Sequence, residues 1–208
     1  MGARRKRIDL VRILDQVPGF ASPDPALEQV VTPSRWAAEL LFDALGRGDL
    51  AGTPVVDLGS GTGRLAIGAA LLGASPVTGV EVSEAAVRVA RAAARALGAE
   101  VDFHVGDVGE HPAPEGTVVM NPPFGAQRRG ADRPFWEAAF SRPGRAVYAF
   151  ALSDSRTFIE GRAVARRARI EATRPVRWEL PATFAHHRRT AVELSVDLWV
   201  LRTAEEHG

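Results

Sequence analysis

The sequence predicts an α/β fold built on a mostly parallel sheet. Three observations carry that expectation. Short apolar segments of strand character alternate with longer segments of helical period. A glycine-rich turn, "DLGSGTGRL", follows the first of these strands and opens a helix. The segment "TVVMN" is wholly apolar up to its polar end, as in a central strand buried on both faces.

The elements follow in order. "IDLVRILDQV" sets Leu10, Ile13, Leu14 and Val17 on one helical stripe. "PGFASPDPALEQVVT" is a proline-rich connector. Thr32 suits an N-cap with Pro33 at the first helical position, and the helix buries Trp36, Leu40, Leu41 and Leu45 before ending near Gly46. "TPVVDLGSGTGRLAIGAALLGA" reads as strand, glycine loop, helix. A second strand runs to Glu81, Ser83 caps an Ala/Arg-rich helix, and Gly98 stops it. "VDFHVGD" alternates as a third strand and "TVVMN" is the fourth. "RPFWEAAF" is a short helix, "AVYAFAL" a fifth strand, "SRTFIEGRAVARRA" a helix. "ARIEATRPVRWELP" and "VELSVDLWVLR" are two last strands with little helix between them, which suggests an antiparallel edge pair. With no repeat and no linker, residues 1–208 read as one domain: a helical N-terminal segment over 1–50 and a core over 51–208.

Composition narrows the chemistry. Hydrophobic residues make up 46% of 208, enough for a substantial core, and there is no cysteine, so disulfides, thiolate zinc sites and thiol nucleophiles are excluded. The basic start lacks an apolar stretch, so it is no secretory signal, and no apolar run approaches the ~18 residues of a membrane span, so a soluble cytoplasmic protein is expected. The net charge of +1 hides an asymmetry: residues 125–189 hold 14 arginines against 6 acids, net +8. That excess suits a polyanion such as RNA.

The glycines of the loop are Gly59, Gly61 and Gly63. No Gly-Lys-Ser/Thr follows, so it is not a P-loop, and Arg64 takes the third-glycine position of a dinucleotide loop. Asp57 inside the motif would repel a pyrophosphate and suits a cationic ligand end such as an ammonium. Glu81, ending the second strand, can accept both hydroxyls of a ribose. Asp107, after the third, can bond an adenine amino group. One ligand offers all three: S-adenosylmethionine.

"NPPF", Asn121-Pro122-Pro123-Phe124, answers to the same chemistry. An amino nitrogen conjugated to a ring is a poor nucleophile because its lone pair is delocalised. The Asn121 side-chain oxygen can accept one of its N–H bonds and the Pro122 carbonyl the other, which localises and aims that pair. The prolines fix φ, and Phe124 offers a face on which a flat base can stack. Arg128, Arg129 and Arg133 flank this loop as candidates for phosphate contact.

With these motifs in this order, the chain resembles the class I S-adenosylmethionine-dependent methyltransferases and, through "LEQVVTPSRWAAELL", "VVMNPPFGAQRRGADRPFWEAAF" and "LPATFAHHRRTAVELSVDLWVL", the methyltransferase-like protein 5 family. The resemblance spans about residues 8–202. It implies a Rossmann-like, seven-stranded, mostly parallel sheet with an antiparallel last strand, and N6-methylation of adenine in small-subunit ribosomal RNA. It also implies that Gln29 and Thr32 close over the cofactor, and that His186, His187, Arg188 and Arg189 face RNA. Eukaryotic members depend on a small zinc-binding activator protein that lengthens the sheet at the third strand; here that strand is short and contains His104. The lack of cysteine and wealth of Arg and Ala make this an archaeal-looking member. Thr62, Val82 and Val108, beside the residues already named, complete the expected cofactor set.

No acid or cysteine stands at ligand spacing around His186 and His187, and adjacent residues on a strand point to opposite faces, so no metal is expected. The four tryptophans read as core, with Trp178, between Arg177 and Glu179, the candidate for an RNA-facing exception. Adenine in DNA, guanine N2 in RNA and a glutamine amide present planar nitrogens that the same loop can hold. A non-catalytic RNA-binding scaffold has no need of all five of Asp57, Glu81, Asp107, Asn121 and Phe124, and a NAD-dependent oxidoreductase predicts a G-x-G-x-x-G loop and no Asn-Pro-Pro-Phe.

Overall fold

The computed structural model describes residues 6–110, 116–125, 128–141, 146–181 and 191–204. Seven strands form one sheet: β1 (Val55–Leu58), β2 (Val77–Glu81), β3 (Asp102–Val105), β4 (Thr117–Met120), β5 (Val147–Leu152), β6 (Arg169–Pro181) and β7 (Ala191–Arg202). Their order is β3-β2-β1-β4-β5-β7-β6. β1 to β5 run parallel, and β7 is antiparallel to both its neighbours. Every residue of β1, β2 and β4 is buried, which is why these strands read as unbroken apolar runs.

Helices cover both faces. On one side α1 (Arg7–Leu14), α2 (Ser34–Gly46), α3 (Arg64–Leu71) and α4 (Glu84–Leu97) pack Leu10, Leu41, Ile67 and Val87 against Val55, Phe103, Val119, Tyr148 and Phe150. On the other, α5 (Arg133–Ser141) and α6 (Arg156–Ala165) pack Trp136, Phe140 and Ile159 against Val56, Leu58, Val118, Met120 and Trp199. Val118, Val119 and Met120 thus alternate between the two layers, as a strand's period demands. Among the described residues no helix is long and apolar enough to cross a membrane.

The late strands form the expected antiparallel pair at the edge of the sheet, with β6 outermost and β7 between β5 and β6. Val196, Leu198 and Val200 face one core layer, Trp199 and Leu201 the other, so β7 needs cover on both sides. β6 carries Pro175 and exposed Arg174 and Arg177, which an edge tolerates. α2 starts later than expected. Pro33 holds the N-cap position and Ser34 begins the helix, so Thr32 stands outside it with its hydroxyl uncommitted to capping.

The end of the sheet where β4 and β5 begin is locked to the loop after α2. The buried Asp49 carboxylate accepts from both ends of the Arg202 guanidinium, at 2.7 and 3.0 Å, and from the Tyr148 hydroxyl at 2.7 Å. Burial pushes the Tyr148 phenol up, helped by the carboxylate it bonds, and the Asp49 contact raises Arg202.

Candidate active site

The chain leaves β1 toward β2 on one side and returns to β4 on the other. Strand order therefore reverses at β1, and the crevice between the two connections opens at the strands' C-terminal ends. Leu58 and Met120 are register partners, so Gly59 and Asn121 emerge side by side. A cavity of about 310 Å³ opens there. It is lined by Asp57, Gly59, Gly61 and Thr62 of the glycine loop, Glu81 and Val82 at the end of β2, and Asp107 and Val108 after β3. Asn121 and Pro123 line it after β4, and Gln29 and Thr32 from the N-terminal segment. Gly63 holds φ 92° at the start of α3 and does not line the cavity.

The glycines are dictated by two rings. A Cβ on Gly59 would stand 2.6 Å from Phe135 of α5, and one on Gly61 2.9 Å from Phe20 of the N-terminal segment. Both residues also hold positive φ, 71° and 54°. Phe135 thus packs on the loop at Gly59 and Phe20 at Gly61. No local pattern marks either ring for this contact, beyond Phe20 being a lone aromatic in a proline-rich connector.

The acids are arranged differently from one another. Glu81 spans the loop: its Oε2 accepts the Gly61 N–H and its Oε1 the Ser83 N–H, both at 2.9 Å. Each oxygen keeps a further lone pair for a diol. Asp107 Oδ1 accepts the Gly109 N–H at 2.8 Å, and the apolar Val82, 55% exposed, stands at the cavity wall as a platform for a flat ring. Asp57 is buried. Its Oδ2 accepts the Ala66 N–H at 2.9 Å, while Oδ1 has no partner. Burial pushes this carboxyl up to about 7, with the charge of Glu81 adding to the effect and the Ala66 N–H opposing it. Burial disfavours the charge of this carboxyl, and a cation placed at its idle oxygen would restore it, so the site suits a cationic group. Together, a cation receptor, a diol receptor and an apolar platform in one cavity fit S-adenosylmethionine.

Asn121 is held by one end only. Its Nδ2 donates to Thr32 Oγ1 at 3.0 Å, and its Oδ1 is buried without a partner. Arg64 secures Thr32 in turn, donating to the Thr32 carbonyl at 2.7 Å and to the Val17 carbonyl at 2.8 Å. Gln29 Oε1 accepts the Asp24 N–H at 2.9 Å, which braces the same segment. Pro122 is buried, and Phe124 is half-buried with its ring 5.6 Å from Trp178 at 79°. Neither lines the cavity, whereas Asn121 and Pro123 do. Trp178 is fully buried beneath Phe124 and Phe150, so it is a core residue and not an RNA-facing one. An alternating strand puts every second residue inward whatever the charge of its neighbours.

Of the basic candidates, Arg128 lines the mouth of the cavity, and its backbone N–H donates to Glu28 Oε1 at 3.3 Å. Arg129 is exposed beside it. The Arg133 guanidinium lies 5.2 Å over the Phe158 ring, turned to α6. His186, His187, Arg188 and Arg189 lie outside the described residues.

Comparison with known proteins agrees with this geometry. The methyltransferase small domain model matches residues 36–141. The rRNA N(6)-adenosine-methyltransferase of Danio rerio is 32% identical, covering 91% of this chain and 95% of its own. That of Drosophila melanogaster is 33% identical, covering 95% and 96%. The crystal structure of a candidate RNA methyltransferase from Pyrococcus horikoshii superposes with a TM-score of 0.87 at 36% identity, over 98% of this chain and all of that one. By these likenesses the chain belongs to the methyltransferase-like protein 5 family of S-adenosylmethionine-dependent methyltransferases.

Proposed function

We propose that the chain methylates the N6 amino group of an adenine in structured RNA, namely small-subunit ribosomal RNA, in the cytoplasm. Residues 1–208 act as one catalytic domain, in which residues 1–50 close over the cofactor. The observation that carries this reading is the Asn121 amide: tied through its nitrogen, with its oxygen idle and buried at the cofactor cavity. A substrate that donates N–H bonds is what such an oxygen suits. The names of the fish and fly relatives supply the support for adenine N6 and for ribosomal RNA.

Each residue then has a task. Asp57 takes the cofactor's ammonium, Glu81 its ribose hydroxyls, Asp107 its adenine amino group, and Val82 and Val108 flank the ring. Gly59, Gly61 and Thr62 would line the cofactor, and Gly63 turns the chain into α3. S-adenosylmethionine supplies a methyl carbon activated by its sulfonium. Asn121 Oδ1 and the Pro122 carbonyl accept the two N–H bonds of the target amine and turn its lone pair toward that carbon. Pro123 stiffens the turn and Phe124 backs the base. Attack on the methyl carbon would leave the nitrogen cationic, with a surplus proton to lose to water, so the Asn121 amide suffices and no strong base is required. Arg128, Arg129, Arg133, His186, His187, Arg188 and Arg189 contact the RNA. The four-residue β3 edge, with Val105 half exposed, suits a partner that adds a strand, such as a small zinc-binding activator.

Asn121→Ala tests this. It is expected to leave affinity for S-adenosylhomocysteine, read by calorimetry, nearly intact and to raise the methyl-transfer barrier by at least about 2–3 kcal/mol. Unchanged turnover removes the mechanism.

A further inference from the structure

We infer that Thr32, gripped by Arg64, is a positioning residue for the methyl transfer: its hydroxyl holds the Asn121 amide in the orientation that receives the substrate. The inference rests on the reading of Asn121 as the acceptor for the target amine and adds a residue to it.

An asparagine amide has two ends of similar size and opposite hydrogen-bonding sense. The torsion that exchanges them is broad and soft. The end facing an incoming amine must be the oxygen, because the amine donates. The NH₂ then points away, and it needs an acceptor where it points. Thr32 Oγ1, 3.0 Å from Asn121 Nδ2, is that acceptor. Without the hydroxyl, the productive orientation would leave a part-buried NH₂ unpaired, and the amide would turn or tilt to recover a bond.

Thr32 is itself fixed. Thr32 and Val17 mark the two ends of the stretch that carries Phe20, Glu28 and Gln29 over the cavity, and the Arg64 guanidinium bonds the carbonyls of both. Arg64 is the first residue of α3, directly after the glycine loop. One cation thus joins the loop that shapes the cofactor site, the segment that covers it, and, through Thr32, the amide that meets the substrate.

The test is single-turnover methyl transfer to small-subunit ribosomal RNA at saturating cofactor, with S-adenosylhomocysteine affinity measured alongside. Thr32→Val is expected to slow transfer about 10–100-fold and to change that affinity less than about threefold. Thr32→Ser, which keeps the hydroxyl, is expected within about threefold of the parent rate. In an Asn121→Ala background, Thr32→Val is expected to cost nothing more. The inference is overturned if Thr32→Val transfers at the parent rate. It is equally overturned if that variant's slower rate comes with an equal loss of affinity that Ser does not restore. An Asn121→Ala enzyme at full speed sinks the reading of the amide itself; a slow one beside an unaffected Thr32→Val sinks the positioning role alone.

Discussion

At the scale of residues, Asp57 makes a claim that pH can check. Burial lifts its carboxyl to about 7, against about 4 in an unfolded chain. The folded, ligand-free protein therefore binds the extra proton more tightly between those values. Its stability is greatest below about pH 4 from this group, falls as pH rises toward 7, and is flat above. Asp57→Asn is expected to remove that fall from thermal melts taken between pH 5 and 7.5. Binding of S-adenosylhomocysteine, whose ammonium favours the carboxylate, is expected to strengthen as pH rises toward 7 and to release a proton at pH 6. Calorimetry in buffers of different ionisation enthalpy reads this; a pH-independent affinity contradicts the assigned role. Asp57, Glu81, Asp107 and Asn121 were legible in the sequence because strand ends and turn residues mark them locally. Phe20, Phe135 and Arg64 were not. Their contacts join segments far apart in the chain, and only packing brings a ring over Gly59 or a guanidinium under Thr32.

At the scale of elements, periodicity placed the strands and helices, and capping chemistry set several ends. Ser83 caps α4 through the Ala86 N–H, and Gly98 ends it in the left-handed conformation. The same logic misjudged Thr32: a threonine before a proline suits an N-cap, but its hydroxyl serves Asn121, a partner 89 residues on. The order of the last two strands was likewise hidden, since alternation reports which faces are buried and not which neighbour covers an edge. Backbone ladders place β7 between β5 and β6, and Asp49 braces it there, its carboxylate joining Arg202 of β7 and Tyr148 of β5. Asp49→Ala would leave the buried Tyr148 hydroxyl unpaired and Arg202 held by Glu171 alone. It is expected to cost about 3 kcal/mol, seen as a fall in Tm of roughly 6–12 °C. A melt within about 2 °C of the parent would show the network to be dispensable.

At the scale of the whole molecule, the excess of positive charge over residues 125–189 is less available than its count suggests. Arg162 and Arg166 pair with Glu137, Arg169 with Glu171, Arg174 with Glu39 and Asp43, and Arg156 with Asp197. All but Arg169–Glu171, which lies within β6, tie β6 or the α6 region to their neighbours. Charge near the cavity mouth, at Arg128 and Arg129, is better placed for RNA. Replacing both with alanine is expected to weaken RNA binding and to lower the slope of log affinity against log salt by about 1–2, with affinity for S-adenosylhomocysteine unmoved. An unchanged slope would place the RNA elsewhere. The most direct test of the central claim is chemical. The protein is incubated with methyl-labelled S-adenosylmethionine and, separately, small-subunit ribosomal RNA, total RNA and DNA from the native host, and each is digested to nucleosides. The account expects label in N6-methyladenosine from small-subunit ribosomal RNA, abolished by Asn121→Ala; label in another nucleoside, in DNA alone or in none would contradict it.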